Sequence, residues 1–286
     1  MQARKRLGPS LTRRHLMTKS ATQPTAAGSA EVQGSLWSAR AADYAAVQEP
    51  LFLPLYEALR HRLEPAGGGA LLDVGCGPGL AAATLSEAFS RVDGIDASPS
   101  FVETARTRCP HGTFVAGEME SLPYADQAFD AVTGFNAFQY AASPMRALRE
   151  ARRVLKPTGR VVIAVWGPPE TCDAAGHLKA LGPLMPPSPT GAPGPFALSQ
   201  ESALKALAAD AGLIPVEIVD VDCPWVYPDL HMAMRGMLSA GPVERAIRAS
   251  GLEKVRAAIT EAIAPFRTAD GAYRLRNVFR VLIAQA

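Results

Sequence analysis

The sequence predicts an α/β protein built on a mostly parallel sheet with helices on both faces. Three observations predict it. Short apolar runs bounded by turn residues alternate with amphipathic stretches between residues 70 and 166. Two Ser-Pro pairs, Ser98-Pro99 and Ser143-Pro144, mark helix starts just after strand candidates. A glycine-rich turn, Gly75-Cys76-Gly77-Pro78-Gly79, joins the first such strand to the helix behind it.

Each element has its own reason. Leu51–Leu63 places Leu51, Leu55, Ala58 and Leu59 at helical spacing. Gly67-Gly68-Gly69 breaks it. Ala70–Val74 is a short apolar run of the kind buried on both sides in parallel sheets. A helix is expected after Pro78, then strands at Arg91–Asp96, Thr113–Ala116 and Phe129–Phe135. In the Ser-Pro pairs the Ser oxygen satisfies an orphan amide and the Pro suits the first helical turn. Ala147, Leu148, Ala151, Val154 and Leu155 form one apolar stripe, which Lys156-Pro157-Thr158-Gly159 stops. Arg160–Trp166 is a fifth strand, rich in Val and Ile. Residues 167–198 hold eight of the 24 prolines and predict a long cover loop. A helix carrying Leu204, Leu207, Ala208 and Ala211 follows, then a sixth strand, Ile214–Val221. Residues 229–264 read as helical, with Leu252, Val255, Ile259 and Ile263 on one stripe, and Asn277–Ala284 as the seventh strand.

Composition excludes several classes. At 286 residues and 48% hydrophobic, the chain supports a sizeable core. No apolar run approaches the length of a membrane span. The four cysteines are scattered without C-x-x-C spacing, which argues against a zinc site and a disulfide scaffold and for a reducing, cytoplasmic setting. No His/Asp/Glu cluster has metal-ligand spacing, so no metal is expected. The net charge of +2 conceals an asymmetry. Residues 1–30 carry six bases and no acid; the remainder has 23 bases against 27 acids, about −4. Such a body is a poor partner for nucleic acid. Residues 1–30 read as a disordered tail or a start assigned too early, with Met17 as the alternative start. Arg13-Arg14 lacks the apolar stretch of an export signal, and an Arg-rich, acid-free segment suits organellar import if the source is eukaryotic. Residues 31–286 are expected to form one domain.

The glycine turn selects among nucleotide sites. Glycines at spacing two permit a sharp turn and close approach of a ligand to the backbone, as well as a plain βα turn. The third glycine stands one residue earlier than in a dinucleotide fingerprint, and the turn has no lysine to hold phosphates.

Leu71 through Gly79 resembles the first motif of class I S-adenosylmethionine-dependent methyltransferases of the ubiquinone/menaquinone-biosynthesis-like type (methyltransferase type 11). Gly94-Ile95-Asp96-Ala97-Ser98-Pro99 is similar to that family's second motif, and Gly117 through Tyr124 with Phe129-Asp130 to its third. Leu148-Arg149-Glu150 through Arg160 resembles the helix and turn before the fifth strand. The resemblance spans residues 70–166; beyond them only the general layout matches. It implies a Rossmann-like seven-stranded sheet whose last strand is antiparallel, with S-adenosylmethionine as cofactor. It implies that the backbone of Gly75, Cys76 and Gly77 passes under the methionine part, that Asp73 serves its ammonium, and that Asp96, next to Ala97, accepts the ribose hydroxyls. An N-terminal helix charge is the other use of Asp96. Glu118 stands where the family has Asp and would reach the adenine amino group. Met119 would cover the ring, or serve as packing. Phe135 would offer its carbonyl to the ammonium, with Asn136 beside it. The N-terminal segment, with Trp37 and Tyr44, would fold over the cofactor.

The reaction implied is methyl transfer by in-line displacement to a small, partly hydrophobic metabolite. No catalytic base is evident. Candidates to contact the acceptor are Trp37, Tyr140, His177 and Tyr227, each with packing as its alternative. Residues 167–198 and 229–264 are expected to cover the acceptor. Gly134 through Tyr140 is not the motif of enzymes that methylate exocyclic base nitrogens. Two other readings remain: a non-methylating protein that binds S-adenosylmethionine, and a nicotinamide-dependent oxidoreductase on the same sheet. The sequence does not fix the oligomeric state.

Overall fold

Strands β1 (Ala70–Val74), β2 (Arg91–Asp96), β3 (Thr113–Ala116), β4 (Phe129–Phe135) and β5 (Leu155–Trp166) pair in parallel in the order β3-β2-β1-β4-β5. The computed structural model in which they lie describes residues 28–63, 68–186 and 194–286. Beyond β5 the sheet continues through β9 (Val278–Gln285) to β6 (Ile214–Asp222), and β9 runs antiparallel to both neighbours. The expected seven-stranded Rossmann-like sheet with an antiparallel last strand is therefore the observed one.

Alternation along each strand separates two cores. Leu71, Ala131, Val162 and Ala164 face one side, where α3 (Leu53–Leu63), α4 (Leu80–Leu85) and α5 (Pro99–Arg108) bury Leu59, Ala82 and Ala105. Leu72, Val132, Val161 and Ile163 face the other, under α6 (Pro144–Val154) and α8 (Glu201–Asp210). Both Ser-Pro starts act as predicted: Ser98 Oγ accepts the Phe101 N–H at 3.2 Å, and Ser143 Oγ the Arg146 N–H at 3.3 Å.

Four features differ from the sequence reading. β5 begins at Leu155 because Leu155 pairs with Phe129 before the ladder resumes at Arg160, opposite Ala131. Lys156 in the bulge between them is held by both Asp130 oxygens, at 3.0 and 2.8 Å. The cover loop contains a short helix, α7 (Ala175–Ala180), packed on α11 (Leu252–Ile263). The helical stretch 229–264 is three helices, α9 (Leu230–Met237), α10 (Gly241–Ser250) and α11, interrupted at residues 238–240, just before Gly241-Pro242, and at Gly251, whose φ is +89°. Finally, β7 (Trp225–Tyr227) and β8 (Tyr273–Leu275) form a separate two-stranded sheet beneath them.

At the other end, α1 (Ala30–Ser38), the helical turn α2 (Ala41–Asp43) and a π-helical turn at Tyr44–Gln48 lead into α3. Gly28, Ser29 and Ala30, which the sequence reading grouped with the tail, are placed beside Glu118, while residues 1–27, with Met17 and the Arg13-Arg14 pair, lie outside the described residues. Among the described residues no helix is long and apolar enough to cross a membrane, and no group of His, Cys, Asp and Glu is placed to hold a metal. All four cysteines are buried and unpaired.

Candidate functional site

After β1 the chain doubles back through three residues of positive φ, Gly75 (+70°), Gly77 (+53°) and Gly79 (+88°). The turn is tied to β2. Gly75 and Cys76 both donate to the Ile95 carbonyl, at 2.8 and 3.1 Å, and Gly77 donates to Asp96 Oδ2 at 2.9 Å. Space also demands glycine at 75, since a Cβ there would meet Ala137 Cβ at 2.5 Å.

Asp96 ends β2 at the foot of this turn, half-buried. Its Oδ1 accepts the Ser98 N–H at 2.7 Å. Burial raises its carboxyl from 3.8 to about 6, against the lowering effect of the Ser98 and Gly77 amides. Asp73, on β1, lies deeper, only 1% exposed. Its Oδ1 accepts the Thr133 hydroxyl at 2.8 Å, but Oδ2 is buried without a partner. Burial raises this carboxyl to about 7; Thr133 lowers it, and the Asp96 and Glu49 charges add to the rise.

Helix α1 roofs the same turn. Glu118 Oε2 accepts the Ala30 N–H at 2.7 Å, and Oε1 accepts from Ser29 Oγ at 3.4 Å and from the Glu120 N–H at 2.9 Å. A negative group there suits the positive end of a helix. Glu118, the residue expected at the adenine amino group, thus also fastens the start of α1. Midway along α1, Gly34 lies so close to the second motif that a Cβ would stand 2.2 Å from the Ala97 carbonyl oxygen. At its end Ser38 and Ser98 hydroxyls are 2.7 Å apart. Beneath the roof lies a small cavity walled by Asp96, Ala97, Gly117, Glu118 and Met119.

A cleft of about 490 Å³, open at its mouth, continues from there. Gly75, Gly77, Asp96, Met119, Phe135 and Asn136 form its floor and sides, with Trp37, Tyr44 and Tyr140 across it. The Trp37 ring meets the Tyr44 and Tyr140 rings edge-on, at 5.5 and 5.6 Å. Asn136 holds φ at +53°, a conformation Asn tolerates better than most residues, and its N–H donates to the Ala164 carbonyl. Cys76 is 3% exposed and its thiol faces inward; only its backbone belongs to the turn's outer edge.

Behind the cleft is an aromatic chamber, about 430 Å³ with the open solvent at its mouth included. The two share Trp37, Tyr44, Asn136 and Tyr140. Trp166 and Trp225 wall the chamber from the sheet side, and His177, Leu178, Met237 and Pro242 come from the cover. His177 is 4% exposed; burial lowers its imidazole to about 4, so the ring is neutral. Burial likewise raises the Tyr140 hydroxyl to about 12. Tyr227 stands elsewhere. It is fully buried behind Gln48, donates its hydroxyl to Gln48 Oε1 at 2.7 Å, and does not line the chamber.

Several site residues carry no sequence signal. Gln48 and Phe52 line the chamber from the turns before α3. Glu49, 2% exposed, accepts the Leu80 N–H at 3.0 Å, pairs with Arg108, and so fastens that segment to the glycine turn. An acid directly after Gln48, in an otherwise apolar stretch, was the available hint.

Known proteins match this arrangement. Residues 72–163 match the type 11 methyltransferase domain family. A malonyl-[acyl-carrier protein] O-methyltransferase of Dechloromonas aromatica is 30% identical over 208 residues, 70% of this chain and 71% of the relative. A demethylmenaquinone methyltransferase of Thermotoga maritima is 38% identical over 110 residues, 38% of this chain and 48% of the relative. Across these and similar relatives the match covers between 31% and 71% of their length. A solved S-adenosylmethionine-dependent methyltransferase structure from Thermotoga maritima superposes with a TM-score of 0.52, at 18% identity, over 88% of this chain and 99% of its own. A Bacillus halodurans structure gives 0.55 at 18%, over 80% and 97%. With the glycine turn, the acid ending β2 and the sheet order all in place, the chain belongs to the class I S-adenosylmethionine-dependent methyltransferases, in the type 11 family.

Proposed function

We propose that the protein transfers the methyl group of S-adenosylmethionine to a small, partly hydrophobic metabolite by in-line displacement. The residues present fit the cofactor. The unpartnered Asp73 Oδ2 suits its ammonium group, directly or through water. Each Asp96 oxygen spends one lone pair on a backbone amide and keeps another for a ribose hydroxyl. The backbone of Gly75 to Gly77 leaves room for the methionine part, the Phe135 carbonyl stands ready for its ammonium, and Met119 covers the ring.

When bound, the cofactor supplies a methyl group already activated on a sulfonium. The chain's work is then alignment and exclusion of water. Trp37, Tyr44 and Tyr140 stand between cleft and chamber and keep the transfer zone dry. Residues 70–166 form the cofactor core, and the segments 167–198 and 229–264 form the acceptor cover, contributing His177, Leu178, Met237 and Pro242. One observation carries the reading: the acid-and-glycine cleft adjoins an aromatic room across four shared residues. Apolar pockets with few polar groups suit small organic ligands. Neither relative's name refers to a nucleic acid. Four unpaired cysteines suit a reducing compartment such as the cytoplasm.

Incubation with methyl-labelled S-adenosylmethionine and small-molecule extracts tests it. A labelled product from wild type and much less from Asp96→Ala at the same subsaturating cofactor concentration is expected. Cofactor binding without product from any extract would favour a binding protein on a methyltransferase scaffold.

A further inference from the structure

We propose that the aromatic chamber takes an uncharged, flat acceptor carrying a carbonyl oxygen and a hydroxyl group, an aryl or conjugated hydroxy-ketone. The inference rests on the methyl-transfer reading and names the acceptor class for it.

The chamber's walls set the charge. Six aromatic side chains line it, and no Lys, Arg, Asp or Glu does. A carboxylate or phosphate entering it would lose its water and gain no counter-charge, a heavy penalty. Flat aromatic walls instead reward a flat ring. All three tryptophans of the chain, Trp37, Trp166 and Trp225, take part.

The polar groups set the functional groups. Three side chains of the chamber each carry a buried polar atom without a partner: Gln48 Nε2, Trp225 Nε1 and His177 Nδ1. Buried polar atoms are normally paired, so three orphans around one chamber mark a ligand's contacts. Tyr227 fixes the first of them. By donating to Gln48 Oε1 at 2.7 Å it leaves the amide's Nε2 as the spare donor. The indole Nε1 of Trp225 is a donor only. Two donors call for an acceptor oxygen on the ligand, the carbonyl. His177 is neutral, so one ring nitrogen donates and the other accepts; with the orphaned Nδ1 assigned as the acceptor, it calls for a ligand donor, the hydroxyl.

A matched pair of probes tests the proposal: 1-hydroxy-2-acetonaphthone and 1-hydroxy-2-naphthoate, alike in ring and hydroxyl and different in charge. Both are titrated against the full chain with S-adenosylhomocysteine bound, following tryptophan fluorescence. The ketone is expected to quench it at least tenfold more tightly than the carboxylate. Gln48→Leu and His177→Leu are each expected to weaken the ketone at least fivefold, with S-adenosylhomocysteine affinity within twofold of wild type as proof of folding. If one variant does not fold, the other still decides. A carboxylate that binds as tightly as the ketone, or ketone affinity indifferent to both substitutions, overturns the proposal. The titration needs no turnover, so the two readings fail separately. Ketone binding as described with no methylated product in any assay sinks methyl transfer alone. Methylation of a carboxylate acceptor with no ketone binding sinks this proposal alone.

Discussion

Glu118 holds the Ala30 N–H at 2.7 Å, so an acid from the loop after β3 pins the first residue of α1, 88 positions earlier in the chain. Hydrogen bonds to a charged group contribute about 1.5–3 kcal/mol. Glu118→Ala is therefore expected to speed amide exchange in residues 30–38 by tenfold or more, with little change in the sheet. Hydrogen exchange read by mass spectrometry checks this. Unchanged protection of α1 would show that its other contacts hold it alone.

Gly34 is the second fastening point. A Cβ there would stand 2.2 Å from the backbone oxygen of Ala97, which cannot swing away as a side chain end would. Gly34→Ala is expected to lift α1 and weaken S-adenosylmethionine binding about tenfold, or 1.4 kcal/mol. The melting temperature should fall by only a few degrees, because α1 buries little beyond Gly34 and Leu36. Calorimetry and a thermal melt together separate this from general unfolding.

Asp96→Ala is expected to weaken cofactor binding by roughly 1.5–3 kcal/mol, the worth of hydrogen bonds to a charged group. The wild-type carboxyl sits at about 6 rather than 3.8, so below pH 6 it is protonated and accepts hydroxyl donors poorly. Affinity in wild type should therefore rise between pH 5 and 7, and Asp96→Asn should flatten that rise. Calorimetric titrations at both ends of the range check it; a wild-type affinity independent of pH would remove Asp96 from the ribose.

Asp73 makes a prediction about stability. Its folded carboxyl lies at about 7 against 3.8 for the free group. Between those values the folded chain holds a proton that the unfolded chain has released. Folding is then favoured less as pH rises, and the loss is complete above pH 7. Without cofactor the melting temperature should decline from pH 5 to pH 8, and Asp73→Asn should remove part of the decline. A melting temperature that climbs over this range would contradict the assignment.

The strands most legible in the sequence are those bounded by turn residues. β1 and β3 have the bounds their short runs predict because Gly69 and Gly75, and Gly112 and Gly117, flank them, and β2 and β4 likewise end where predicted. β7 and β8 are three residues each, too short for alternation to register, and exist because Trp225 and Leu275 pair across the chain. α1 escaped for a different reason. Its stretch Gln33-Gly34-Ser35 has no apolar stripe, and contacts to Ala97, Ser98 and Glu118 hold it in place. The cleft residues follow from local motifs. The chamber does not, since Gln48, Trp166, His177 and Trp225 come from four separate segments that only the fold brings together. Tyr227 reads as a contact residue because an aromatic near an insertion resembles a ligand wall, yet its hydroxyl serves Gln48.

The pairing of Asp222 with Val278 has a consequence for how such a protein changes over time. Everything from Cys223 to Asn277 leaves the sheet at one rung and returns at the next. Adjacent strands stand about 4.8 Å apart whatever hangs between them, so the ends of the insert are already joined. A longer, shorter or differently shaped insert alters loop-closure entropy only slowly with its length. The cofactor's strands, at the far side of β5, do not register the exchange. The insert, which gives the chamber Trp225, Met237 and Pro242, is in effect a detachable head on a fixed handle, so one wall of the chamber can be exchanged without redesigning the sheet.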